Sequence, residues 1–457
     1  MSIFRKKTID DILKERGNKT FNPTMKTLDL ILFGIGAIVG GGILVLTGIA
    51  ASKAGPAVMF SFLIAGIACI LAALCYAEMS SAVPSSGSTY AYAYVSIGEF
   101  IAHNVGWVLI GGYLLTAATV ANGWSRYFIS LLSGLGINIP EEFTKLPSAG
   151  GYGNIPSLIL VILITFILSK GTTSSKITNN ILAAVKIGIV VLFVVVGAFY
   201  VEPANLTNNF APSGINGVMV GATAVFFAYL GFDAISTSAE ETINPQKVMP
   251  RAIIITLLLC TAFYIVVCLV LTGMVPYTKL GIGNALSFAL TEVGQVKAAG
   301  LISLGAVIGL MAGVLSFIFA GVRITYTMAR DGLLPESLTA TNKHKVPGKL
   351  TWGLGILTAI FSGFLPLDQL AELANVAAII SFALVSYATL KLRKTEPNAH
   401  RGFKVPAINF VAPLSVVLFV GLLWSVTATT WLILVVWTIV GSIVYFGYSK
   451  NNSKLKQ

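Results

Sequence analysis

FGIGAIVGGGILVLTG, residues 33–48, is the stretch whose reading decides the fold. It lies inside an apolar segment running from about Leu28 to Ala51, long enough to cross a bilayer as a helix. Yet its centre holds Gly34, Gly36, Gly40, Gly41 and Gly42, the last three consecutive. Each glycine weakens a helix and lets the backbone leave helical dihedrals cheaply. A spanning helix that opens at mid-depth frees N–H and C=O groups where no water reaches them, so protein or a polar ligand must satisfy them. The plainer alternative is a packing face of small residues. Three glycines in a row favour the break, and broken helices whose ends point at a midplane ligand are the working part of many secondary transporters.

The rest of the composition agrees with a polytopic helical membrane protein. Of 457 residues 56% are apolar and 11% charged, well below the charged share of soluble domains. The formal net charge of +12 invites a nucleic-acid reading, but the basic residues lie in short loops between apolar runs, so no nucleic-acid partner is expected. Cys69, Cys75, Cys260 and Cys268 all fall within apolar runs and suggest neither a disulfide framework nor a metal site. The N-terminal segment 1–27 is charged and lacks the apolar core of a signal peptide, which makes it a cytoplasmic lead-in.

Twelve spans are expected, at about 28–52, 56–82, 98–132, 156–170, 179–200, 216–239, 251–275, 298–330, 350–365, 368–391, 408–428 and 430–448. Twelve crossings put both termini on one side. Of 30 lysines and arginines, twenty-four fall on that side, five on the other, and Lys186 inside a span, so the termini and the 449–457 tail are cytoplasmic. The first five spans, 28–200, and the next five, 216–391, are nearly equal in length. Five is odd, so the second block enters the membrane from the opposite side, as in an inverted repeat. The sixth span is interrupted like the first: in FFAYLGFDAIS (226–236), Gly231 and the charged Asp233 break an apolar run. Spans eleven and twelve, 408–448, have no repeat partner.

Between spans, VPSSGSTYAYAYVSIGE (83–99) reads as a helix lying along the cytoplasmic interface, with Tyr90, Tyr92 and Tyr94 at headgroup level, or as ordinary loop. Residues 133–155 read as an extracellular loop. NALSFALTEVG (284–294) is a short amphipathic piece that either caps an outer vestibule or packs as loop.

Several long motifs, in order, carry a family resemblance. LDLILFGIGAIVGGGILVLTGIAA (28–51), AGPAVMFSFLIAGIACILAALCYAEMSSAVPSSGSTYAYAYVSIGE (54–99), AYLGFDAISTSAEETINPQKVMPRAI (228–253) and TYTMARDGLLP (325–335) resemble the amino acid–polyamine–organocation superfamily, above all its cationic amino acid transporter branch and bacterial homologues. The resemblance implies an all-α integral membrane protein of the leucine-transporter type. That means two inverted five-helix repeats plus two further helices, with the first and sixth helices unwound around the substrate.

The break in the first span offers backbone N–H groups near Gly40, Gly41 and Gly42 for a carboxylate. Carbonyls around Ile38, and at Phe226, Phe227, Ala228 and Tyr229, can accept from an ammonium. The resemblance implies that these gaps bind the α-amino-acid group common to all substrates. Adjacency to the break makes Phe226 or Phe227 a gate, the alternative being an ordinary lipid-facing or core aromatic. Asp233 either meets a cationic substrate or gate residue, or serves a helix end. Lys186 sits about 10 Å from the inner end of the fifth span, where an ammonium costs at least about 2.5 kcal/mol. It either takes up and releases a proton during transport or snorkels to the interface. In relatives of this fold, such a lysine can stand where sodium-driven members hold a coupling ion. Ser316, near mid-depth of the eighth span among small residues, either faces the substrate or packs. Glu78, Glu240, Glu241 and Arg323, near inner helix ends, form an inner gate of ion pairs or are ordinary interface charges.

Together these readings describe a cell-membrane amino acid transporter working by alternating access. The expected driving ion is the proton, with no metal and no other cofactor. Its substrates would be arginine, lysine or alanine, and membrane lipid surrounds it; the sequence names no protein partner. An exchanger is the mechanistic alternative. A sensor that binds without transport is the rival class, disfavoured by short tails without a signalling domain. No nucleophile triad, His/Cys cluster or phosphate loop suggests an enzyme.

Overall fold

The structure, a computed structural model, describes residues 5–12, 25–85, 87–171, 176–239, 242–344 and 346–456. Its secondary structure is helical, and the described residues contain no strand beyond an isolated bridge between Met25 and Thr242. Among the described residues eight helical stretches are long and apolar enough to cross a membrane. Ile155–Ser169 and Ile408–Leu422 are shorter apolar helices.

The helical run Thr27–Ala82 is 56 residues long, about 84 Å at 1.5 Å per residue and far beyond a hydrocarbon core. It is interrupted twice. Helix α1 (Thr27–Ile38) ends at Val39, whose backbone is extended, and a π-helical turn at Gly42–Leu46 leads into α2 (Thr47–Ala54). At Gly55 the backbone takes φ +65°, where a Cβ would also collide with Pro212, and α3 (Val58–Ala82) follows.

A short helix α4 (Ser88–Ser96) precedes α5 (Glu99–Gly134); α6 (Ile155–Ser169) and α7 (Lys176–Ala198) complete the first half. The second half opens with α8 (Gly214–Phe226), a 3₁₀ turn at Phe227–Tyr229, and α9 (Phe232–Thr237). Then come α10 (Pro245–Met274), α11 (Ala285–Glu292), α12 (Val296–Arg330), α13 (Gly348–Phe364) and α14 (Leu367–Thr395). The chain closes with α15 (Ile408–Leu422) and α16 (Ala428–Val444).

The two longest helices, α5 and α12, form the main seam, and α3 packs along α10. Small residues make the close approach possible, as expected where lipid gives helices no hydrophobic drive to associate. A Cβ on Gly106 of α5 would meet Met328 of α12 at 2.5 Å, and one on Gly313 would meet Val120 at 3.3 Å. α1 packs against α10, α7 and α9, so both interrupted helices lie inside the bundle. Lipid-like exposure falls on outer faces, for example Val435, Val436 and Ile439 of α16.

The 83–99 segment departs from the expectation of an interfacial helix. Tyr90, Tyr92 and Tyr94 are all buried, because α4 is covered by α5 and α14. Their burial is tolerable because phenols find partners: Tyr90 donates to Asp331 (2.7 Å) and Tyr94 to Glu99 (2.9 Å). Burial and those carboxylates raise the pKa of both hydroxyls well above the usual value. Glu99 also accepts from Arg5 (2.6 Å), Tyr445 (2.9 Å) and Ser453, while Lys7 reaches Asp331 (3.0 Å). Both ends of the chain are thus tied to α4 and the start of α5. At the opposite end α11 packs on α12, and its Ala285 sits where a Cβ on Gly48 would fall.

Candidate functional site

The break in α1 is short. Val39 donates to Ile35, the last bond of the helical ladder, and the chain resumes helical pairing with Leu44 donating to Gly40. In an unbroken helix the carbonyls of Gly36 and Ile38 would take the amides of Gly40 and Gly42. Here the Lys186 ammonium of α7 donates to Gly36 O at 2.5 Å, and the Tyr264 hydroxyl of α10 donates to Ile38 O at 3.1 Å.

The three consecutive glycines have three different surroundings. A Cβ on Gly42 would overlap the backbone of Ala228 in the other interrupted helix. One on Gly41 would press Val120 (2.9 Å) and Phe227 (3.2 Å), whereas one on Gly40 would meet only Lys186 Nζ at 3.8 Å and Leu310 at 4.0 Å.

The second break runs from Phe227 to Gly231. Leu230 is extended and Gly231 adopts φ +116°, a region L-residues avoid, with Ala37 of α1 about 3 Å from where its Cβ would lie. Ala228 O, freed by the break, accepts from the same Tyr264 hydroxyl at 2.9 Å. The single phenolic proton is therefore shared between freed carbonyls of both interrupted helices. Tyr264 is fully buried, its ring set between Phe62 (5.3 Å) and Tyr229 (5.5 Å). Tyr229 turns away from the gap and donates to Phe62 O at 2.8 Å. Phe226 packs on Phe382 and Phe419, leaving Phe227 as the phenylalanine beside the first break.

Asp233 stands two residues past Gly231 and is 4% exposed. Its carboxylate accepts from the Gly231 amide (3.2 Å) and from the Tyr113 hydroxyl of α5 (2.5 Å). Among the described residues no cationic side chain is within ion-pair distance of it.

Two cavities adjoin the breaks. One lies between α1, α7 and α12, with Gly36, Ala37, Lys186 and Ser316 in its wall. Lys186 is 1% exposed, so its ammonium points inward to α1 rather than out to the bundle surface, and its stem lies against Gly309. Ser316 donates to its own helix at Ala312 O (2.9 Å). The other cavity lies between α5, α9, α12 and α14, with Tyr113, Leu230, Asp233 and Phe317 in its wall. Adjacent residues of α12, Ser316 and Phe317, thus face different cavities.

The inner charges do not pair as a Glu78–Arg323 gate. Glu78 is held by Arg393 (2.7 and 2.5 Å), Arg401 (3.3 Å) and the Val405 amide (2.7 Å), while the Arg323 guanidinium stacks on Phe319. Arg393 lies in the last turn of α14 and Arg401 in the segment after it, and both reach Glu78 on α3, more than three hundred residues earlier in the chain. Glu240 and Glu241 lie outside the described residues. The described cysteines are free and buried, and no group of three or more His, Cys, Asp or Glu among the described residues could hold a metal.

Sequence reasoning passed over Tyr264 and Tyr113. Each is an ordinary tyrosine in an apolar span, one of 15 in the chain, and no local pattern marks it.

A many-helix membrane protein with two interrupted helices meeting face to face has the form of a membrane transporter. Residues 25–447 match the model of the amino acid permease family. The chain is 45% identical to the methylthioribose transporter of Bacillus subtilis (strain 168), with both chains covered completely. It is 42% identical to the branched-chain amino acid permease BcaP of that organism, covering all of this chain and 99% of the relative. Identity to cationic amino acid transporter 4, vacuolar, of Arabidopsis thaliana is 34%, over 87% of this chain and 68% of the relative. The chain belongs to the amino acid permease family of the amino acid–polyamine–organocation superfamily, whose members are transporters rather than enzymes.

Proposed function

We propose that this chain is a secondary active transporter of L-amino acids in the cytoplasmic membrane, working by alternating access and coupled to protons. Its architecture in this reading is twelve transmembrane helices, with inverted repeats at 28–200 and 216–391, a terminal pair at 408–448, and both termini cytoplasmic. The observation that carries the reading is the meeting of the two breaks, Gly42 against Ala228, with one tyrosine joining their freed carbonyls. In this reading the amides of Gly40 and Gly41 receive the substrate carboxylate. Carbonyls at Ile38 and between Phe226 and Tyr229 receive the ammonium, using lone pairs the tyrosine leaves free, since each carbonyl oxygen has two. Phe227 closes over the gap. Lys186, buried and bonded to Gly36 O, carries the coupling proton, and its charge state then governs how the end of α1 is held.

Substrates in this reading are neutral or cationic L-amino acids, with obligate exchange as the mechanistic alternative. The 45% relative supports a second substrate reading, a methylthio sugar, which has neither ammonium nor carboxylate. Purified protein in liposomes separates these. Uptake of labelled alanine, leucine, arginine or methylthioribose is measured with and without an inward proton gradient. Gradient-driven accumulation of an amino acid supports the symport reading. Uptake that requires internal amino acid instead supports exchange, and accumulation of methylthioribose alone overturns both.

A further inference from the structure

We propose that residues 445–456 are a strap that latches α4 over α9, at the end of the bundle where both chain ends lie, and so limits how fast that end opens. The inference goes beyond the transport reading and rests on it only for the opening itself.

α16 ends at Val444, and a π-helical turn at Tyr445–Ser449 and a helical turn at Lys450–Asn452 carry the chain onto the turn that follows α12. That turn, Asp331–Leu333 of the TYTMARDGLLP motif, is shaped to receive it. Ser449 donates to Leu333 O at 2.6 Å, and the Lys454 amide donates to Asp331 O at 3.1 Å. Gly332 takes φ +81°, and a Cβ there would overlap Asn452 O. Glycine alone combines that dihedral with so close a backbone approach. On its other side the strap meets the start of α5: Ser453 donates to Glu99, and Tyr445 does so at 2.9 Å. Arg5 pins the middle by donating to Lys450 O at 3.3 Å. A tail with nothing to hold would keep its serines in water. Ser449 and Ser453 are instead buried, with their hydroxyls bonded to the bundle.

What the strap holds is α4. Glu99 and Asp331, the two residues it grips by side chain and by backbone, are the ones whose carboxylates take the Tyr94 and Tyr90 hydroxyls. The other end of α4 reaches the second interrupted helix, where the Ser88 and Ser236 hydroxyls are bonded at 2.7 Å. Ser88 has φ +48°, a dihedral that a non-glycine residue keeps only where its surroundings impose it. At nine residues α4 is too short to persist as a helix by itself, so its place depends on these clasps. α4 packs on α9 as well as bonding it. The two therefore move together, and the strap resists that motion.

The test compares the full-length protein with a chain ending at Tyr448 and with the full-length Ser449→Ala/Ser453→Ala variant. Hydrogen exchange of the 88–96 amides reads the hold on α4 without any substrate. Loss of these buried bonds should speed it at least about tenfold in the shortened chain and about threefold in the double variant, with the amides of α3 and α10 unchanged. Counterflow of the amino acid accepted in the liposome assay should quicken in the same order while its apparent affinity stays at the parental value. Unchanged exchange of α4 in both variants overturns the proposal. So does equal loosening of α3 and α10, which would make the tail a general support of the fold. Faster exchange of α4 without faster counterflow overturns the brake. A parent that moves no amino acid overturns the transport reading, and the 88–96 amides then still decide whether the strap holds α4.

Discussion

Substituting Gly40, Gly41 and Gly42 one at a time with alanine tests the geometry of the paired breaks most directly. The added atom is the same in each case, so differences come from what it meets. At Gly42 it would overlap the Cα and N of Ala228, backbone atoms that no rotamer change can move aside. The π-helical turn and the facing 3₁₀ turn must then separate, and overpacking of that kind costs about 1–3 kcal/mol. At Gly41 the nearest atoms are ends of side chains, Val120 Cγ2 at 2.9 Å and Phe227 Cε1 at 3.2 Å, which can rotate at a cost of about 0.5–1.5 kcal/mol. At Gly40 the neighbours at 3.8 and 4.0 Å are ordinary contacts and φ is unexceptional, so stability should stay within about 0.5 kcal/mol of the parent. Thermal unfolding of the three purified variants should rank Gly42→Ala lowest and Gly40→Ala nearest the parent. Substrate affinity should follow the same order, with at least a tenfold loss (about 1.4 kcal/mol) at Gly42, because separating the turns separates the two halves of the proposed site. Equal loss at all three positions, or greatest loss at Gly40, would refute the close approach of the breaks as the basis of the site.

Tyr264→Phe keeps the ring between Phe62 and Tyr229 but leaves two buried carbonyls without their donor; affinity should fall about tenfold with the number of binding sites unchanged. Tyr127→Phe, which removes a 2.6 Å bond to Leu44 O within the first half only, is the comparison, and an equal loss there would deny Tyr264 its bridging role. Lys186→Ala should abolish proton-driven accumulation while substrate exchange survives, and Lys186→Arg should fail likewise, since guanidinium does not release its proton at accessible pH. Uptake by the Arg variant at near-parental rate would remove Lys186 from coupling. Glu99→Ala should lower the unfolding free energy, by about 3–5 kcal/mol if the whole cluster loosens, because half-buried Arg5 and the hydroxyls of Tyr94, Tyr445 and Ser453 lose the buried carboxylate they share. A loss below about 1 kcal/mol would show that the chain ends contribute little to holding α4.

How far the sequence could be read depended on how local each cause was. Burial of apolar runs in a bilayer is a local cause, so the helical segments could be placed from hydropathy to within a few residues for most of the chain. The terminal pair is less faithful: α15 stops at Leu422, six residues short of the expected end, where a 3₁₀ turn at Leu423–Ser425 takes over. The interruptions were local too. Glycine in the GGG stretch and at Gly231 permits backbone that other residues resist, and the chain departs from helix beside both.

What needed the tertiary structure was every question of which partner a side chain finds. The alternation of tyrosine and alanine in 83–99 suits a membrane interface, yet α5 and α14 cover that helix and two carboxylates, one of them Asp331 from 241 residues downstream, satisfy its hydroxyls. Glu78 pairs with Arg393 and Arg401 because α14 returns alongside α3, which no spacing along the chain records. Gly40, Gly41 and Gly42 are identical as letters and differ only in the neighbours the fold brings to them. Tyr264 carries no signal of its own; its importance comes from two carbonyls, 36 and 226 residues before it, that converge on its hydroxyl. Backbone freedom and hydrophobicity are written residue by residue, whereas a hydrogen bond between distant segments exists only once the bundle has closed around it.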